Sequence, residues 1–135
     1  MFFYNKLKLF YVELRLWDNI IIMNNRIDKS KHTGSRILIY SHDTMGLGHL
    51  RRCRAIANSL VENYKDLSVL ILSGSPIIGS FDFSERVDFV RIPGVIKLND
   101  GEYTTLNLAI DIEETISMRA SIIKHTADIF DPDVF

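Results

Sequence analysis

Cysteine is almost missing from this 135-residue chain, which has only Cys53. An internal disulfide is therefore excluded. The place of Cys53 inside a helical pattern reads as a small buried apolar group rather than a nucleophile. A reducing cytoplasm fits that usage and is the expected location. Net charge is small as well, at −1, so no global basic field draws the chain to nucleic acid or anionic lipid. No hydrophobic run reaches the roughly 20 residues that a membrane-spanning helix needs. There are three prolines, Pro76, Pro93 and Pro132, and each falls at a turn or helix-end signal. His32, His42 and His125 show no metal-ligand spacing with a cysteine or an acid, so no metal is expected.

The remaining composition, 47% hydrophobic and 24% charged, is that of one globular domain. The N-terminus is apolar and carries Lys6 and Lys8. Glu13, Arg15 and Asp18 interrupt it and no small-residue cleavage site follows, which argues against a signal peptide. Residues 24–35 are polar and without period, a linker. Residues 1–35 are thus expected to be a poorly ordered leader and linker, and Met23 is a second candidate start.

Beyond residue 35 the pattern alternates. Ile37 to Tyr40 is a continuous apolar run, as in a parallel strand covered on both faces. An amphipathic helix follows, with Leu50, Cys53, Ile56, Ala57, Leu60, Val61 and Tyr64 on one face and Arg51, Arg54, Asn58 and Glu62 on the other. Ser68–Leu72 reads as a second buried strand, closed by the turn Ser73-Gly74-Ser75-Pro76. Val87–Ile92 reads as a third, closed by Pro93-Gly94, and Asn99-Asp100-Gly101 marks another turn. From Asp111 to Phe130 the period is helical again, with Ile112, Ile116, Met118, Ala120, Ile122, Ile123, Ala127 and Ile129 as apolar positions. Val134 and Phe135 open a fourth strand. Strands alternating with helices predict an α/β fold with a Rossmann-like open parallel sheet. The chain reads as the N-terminal part of a longer protein, its domain truncated.

The loop Asp43-Thr44-Met45-Gly46-Leu47-Gly48-His49 follows the first strand, where ligands bind in open α/β sheets. Gly46 and Gly48 permit positive φ and close approach of a ligand, although two glycines also serve an ordinary tight turn. Arg51 stands where the dinucleotide fingerprint needs a third glycine, and no G-K-[ST] ending makes a P-loop. A helix start after such a loop is an anion site, because free N–H groups and the helix dipole converge there. A histidine fixed at that point, His49, can carry a proton near neutral pH. Ser73, Gly74 and Ser75 are expected on the same rim, where their hydroxyls suit a polyol or an ordinary turn equally well.

The run from Ile39 to Leu60, I-Y-S-H-D-T-M-G-L-G-H-L-R-R-C-R-A-I-A-N-S-L, resembles the N-terminal loop of GT-B glycosyltransferases. It is most similar to the group that includes the peptidoglycan N-acetylglucosaminyl transferase and its predicted bacterial relatives. The G-x-G-H-x-x-R core, Gly46 to Arg52, is also similar to the nucleotide-sugar hydrolase of pseudaminic acid synthesis. S-G-S-P, I-P-G-V-I-K-L and D-G-E-Y resemble the predicted-glycosyltransferase subgroup, and the likeness covers about residues 36–135. One departure is visible: the peptidoglycan enzyme has a G-G-T-G-G-H type of loop, and this chain has M-G-L-G-H.

The resemblance implies two Rossmann-like domains around a cleft, of which residues 36–135 form part of the first. That domain binds the acceptor, and the absent C-terminal domain binds most of the nucleotide sugar. His49 matches the histidine that acts as base or orients the acceptor. Gly46 and Gly48 match glycines facing the donor diphosphate, and Arg52 matches the arginine of the hydrolase pattern. Asp43, with Ser73, Gly74 and Ser75, is assigned to acceptor binding. The expected activity is metal-independent sugar transfer from a nucleotide diphosphate sugar, a co-substrate, with no cofactor. Hydrolysis of the nucleotide sugar by the same histidine, or sugar or lipid binding without chemistry, are the alternatives. Expected partners are these substrates and the C-terminal domain, with no nucleic acid and peripheral membrane contact left open. The chain alone is expected to be inactive.

Overall fold

The computed structural model describes residues 33–42 and 47–135. The strands are β1 (Ser35–Ser41), β2 (Leu67–Ser73), β3 (Val87–Arg91), β4 (Val95–Lys97) and β5 (Tyr103–Thr105). The helices are α1 (Gly48–Asn63) and α2 (Ile112–Phe130), and a short 3₁₀ turn covers Ile78–Ser80. The first three strands form a parallel sheet in the order β1-β2-β3. Ser35 to Ser41 run beside Leu67 to Ser73, and Val69 to Ser73 beside Val87 to Arg91.

The sheet is covered on both faces, which is why its strands are apolar without strict alternation. Ile37, Ile39, Val69 and Ile71 point to one face and pack with Leu50, Ala57 and Val61 of α1. Ile78 and Phe81, from the β2–β3 connection, complete that layer. Leu38, Tyr40, Leu70, Leu72, Val90 and Ile92 point to the other face and pack with Ile123 and Ala127 of α2. Successive side chains of a strand alternate in direction, so α1 and α2 lie on opposite faces. The result is a mixed α/β unit compatible with a Rossmann-like arrangement.

Beyond α2 the chain returns to the sheet. Val134 bridges Ile37 in parallel, on the edge of β1 away from β2. The Leu38 N–H donates to the Val134 carbonyl at 2.9 Å, and the Arg36 N–H donates to Asp133 Oδ2 at 2.9 Å. Arg36 also donates from Nη1 to the Phe130 carbonyl at 2.8 Å, closing the end of α2.

Three departures from the sequence reading have physical causes. β4 and β5 pair as an antiparallel hairpin around the Asn99-Asp100-Gly101 turn. Strands of three residues are too short to show a period, and only the turn between them was legible. Ile56 of α1 and Tyr64, just past its end, are exposed at 48% and 62%, because the helix buries a narrower stripe than its apolar positions suggest. On α2, Met118 and Ile129 are exposed, and the buried stripe is Thr115, Arg119, Ile123 and Ala127 at four-residue spacing.

Candidate functional site

The carboxyl edge of the parallel sheet carries the candidate site. Ser41, Ser73 and Arg91 end the three strands there, side by side in register. Ser41 follows Ile37 and Ile39 on the α1 face, and Ser73 follows Val69 and Ile71, so both hydroxyls lie on that face. β1 and β2 are parallel, so Ser41 and Ser73 end at the same edge.

α1 opens at Gly48 without a side-chain cap. Leu47, in the capping position, has φ −83° and ψ −1°, and no acid occupies the first turn. Such a helix start presents backbone N–H groups and the positive end of the dipole. Gly48 does not use its freedom of φ: the described glycines with positive φ are Gly34 and Gly101. Among the described residues, a Cβ built at Gly48 meets nothing within 4 Å. His49 is exposed in the first turn, and Arg51 and Arg52 are exposed after it. Arg54 is committed to the fold: its Nε donates to the Asp82 carbonyl at 2.6 Å and its guanidinium lies 5.4 Å from the centre of the Phe81 ring. Asp43 and Gly46, with Thr44 and Met45, lie outside the described residues, as do residues 1–32.

The β2 side of the rim is tightly built. Ser73 is fully buried, and its Oγ accepts the Ser75 N–H at 3.2 Å, the local bond that shapes a turn. Ser75 is buried as well, and its carbonyl accepts the Ile78 N–H at 3.4 Å. This geometry displays the turn role of Ser73 directly. Gly94 sits against this turn: a Cβ there would lie 2.9 Å from the Gly74 carbonyl oxygen and 2.8 Å from Leu106 Cδ2. Ser41 is 1% exposed, and its Oγ has no hydrogen-bond partner among the described residues.

Two further residues shape this region. Arg119 is buried on α2, with Nη1 donating to the Pro93 carbonyl at 2.5 Å and Nη2 to the Tyr40 hydroxyl at 2.7 Å. Tyr40 stands near the carboxyl end of β1, its ring 6.3 Å from that of His42. The signal in the sequence was spacing: Arg119 lies four residues before Ile123 and four after Thr115, on the stripe that faces the sheet.

Among the described residues, no group of three or more His, Cys, Asp or Glu side chains is placed to hold a metal ion. No described helix is long and apolar enough to cross a membrane. Comparisons with protein-family models, with curated proteins and with solved structures gave no significant match.

Proposed function

We propose that this chain is the N-terminal, acceptor-side unit of a cytoplasmic GT-B glycosyltransferase that moves a sugar from a nucleotide diphosphate sugar to a hydroxyl acceptor. The observation that carries the reading is the position of Val134. It joins β1 on the side opposite β2, so the strand order reverses at β1. In open α/β sheets the ligand crevice lies outside the carboxyl ends of the strands at such a reversal. His49, the second residue of α1, comes only eight residues after Ser41, which ends β1 at that edge. The likeness of Gly46–Arg52 to the glycosyltransferase loop supports the reaction class.

In this reading His49 takes the acceptor's hydroxyl proton while the acceptor oxygen forms a bond to the anomeric carbon. The bond from that carbon to the diphosphate breaks, and the nucleotide diphosphate leaves. Its charge is met by the N–H groups at the start of α1 and by Arg52, without a metal. Gly46 and Gly48 let the diphosphate approach. Asp43 and the Ser73–Ser75 turn are assigned to the acceptor side. The second domain supplies most of the donor contacts.

The test is to incubate the protein that carries this chain, complete with its second domain, with a panel of nucleotide diphosphate sugars. Nucleotide diphosphate released only with an acceptor supports transfer. Release without an acceptor assigns hydrolysis, with water in the acceptor's place. No release with any donor leaves a binding module and overturns the enzymatic reading. His49→Ala is expected to lower turnover about 10²-fold or more, the contribution of a positioned general base. An unchanged rate removes His49 from the chemistry.

A further inference from the structure

We infer that Arg119 is a positioning residue of the rim, joining the two segments that flank the candidate site. Its guanidinium reaches Pro93 Oat 2.5 Å and Tyr40 Oη at 2.7 Å. The planar fork of an arginine can hold two acceptors at once in fixed directions, which a lysine ammonium on one stem cannot. Each acceptor leads to a different part of the rim. Pro93 precedes Gly94, whose backbone lies so close to Gly74 that a Cβ would come within 2.9 Å of the Gly74 oxygen. The Pro93 bond therefore presses the start of the β4–β5 hairpin onto the Ser73-Gly74-Ser75 turn. Tyr40 lies two residues before His42, with the two rings 6.3 Å apart. The Tyr40 bond therefore fixes the ring beneath the exit of β1.

Burial makes this arrangement rigid. Arg119 is 6% exposed, and a buried guanidinium that loses its acceptors is costly, so the bonds hold the acceptors as firmly as they hold the arginine. The side chain comes from α2, on the face of the sheet opposite α1. The rim is thus set from behind, by a residue outside the loops that would meet a ligand. The inference rests on the placement of the rim and holds whichever ligand binds there.

The full chain and three variants, Tyr40→Phe, Arg119→Met and Arg119→Lys, are compared by thermal melting and by ¹H–¹⁵N and imidazole NMR. Methionine keeps much of the apolar stem of arginine and removes both bonds. Tyr40→Phe is expected to shift the His42 ring signals while Gly74 and Gly94 stay in place. Arg119→Met is expected to shift His42, Gly74 and Gly94 together, and signals of the remote core, such as Val61 and Val69, are expected to stay. Arg119→Lys is expected to restore one side only. If Arg119→Met unfolds the chain, the split between the other two variants decides. Arg119→Met leaving His42, Gly74 and Gly94 unmoved, or Tyr40→Phe and Arg119→Lys disturbing all signals alike, overturns the inference.

Discussion

Arg86 closes the C-terminal end of α1 from outside the helix. Its Nη1 donates to the carbonyls of Tyr64 at 2.7 Å, Lys65 at 2.5 Å and Leu67 at 3.1 Å, and its Nη2 to that of Val61 at 2.5 Å. The last turn of α1 holds no basic residue of its own, so this distant cation meets the negative end of the dipole. Arg86 holds φ at +69°, a strained value for a side-chain-bearing residue, and its own carbonyl accepts the Val69 N–H at 2.9 Å. Arg86→Ala removes the donors and keeps the strain, and is expected to lower stability by about 1–2 kcal/mol in chemical denaturation. Gly94 is the opposite case, where a missing side chain matters. Gly94→Ala forces a methyl against Leu106 and the Gly74 oxygen and is expected to cost about 1–3 kcal/mol, read in the same assay. Neither residue was legible beforehand. Pro93-Gly94 showed a turn, but the closeness of Gly74 arises only when two strands come together. Arg86 gives no signal in the sequence, because its acceptors lie 19 to 25 residues away.

The elements vary in how openly the sequence states them. β1 and β2 were plain, since β-branched runs bounded by turns leave little else to form. α2 was also plain, from the helical period between Asp111 and Phe130; the structure adds a capping box at its start, where the Asp111 side chain accepts the N–H of Glu114, whose carboxylate accepts the Asp111 N–H at 3.4 Å. Asp111→Ala removes the cap and is expected to cost about 1 kcal/mol, with a matching fall in melting temperature. What the sequence hid in α2 was its buried stripe. Hydrophobicity pointed to Met118 and Ile129, yet spacing selects Thr115, Arg119, Ile123 and Ala127. A buried arginine breaks an apolar pattern, so a search by hydrophobicity passes over the residue that ties α2 to the rim. α1 shows the reverse: its start after the glycine loop was legible, but not the narrow stripe it buries, Leu50, Ala57 and Val61.

At the scale of the molecule, the sheet gathers the candidate residues by direction alone. Parallel strands bring the end of β1 at Ser41 and the Ser73–Ser75 turn to one edge. The return of Val134 to the far side of β1 makes that edge the point where the strand order reverses. The opposite edge is closed by structure: the Ser35 N–H donates to the Asp66 carbonyl at 2.8 Å, Gly34 with φ +91° packs against Asp66, and Arg36 caps α2 at Phe130. The direct measurement is hydrogen–deuterium exchange of this protein, with and without a nucleotide diphosphate sugar of the class proposed above. Protection is expected at Gly48, His49 and the following turn of α1, and in the Ser73–Ser75 segment, with no change at Gly34, Asp66 or Phe130. Protection at the opposite edge, or unchanged exchange at Gly48 and His49 under saturating donor, would contradict the placement of the site at the carboxyl end of β1.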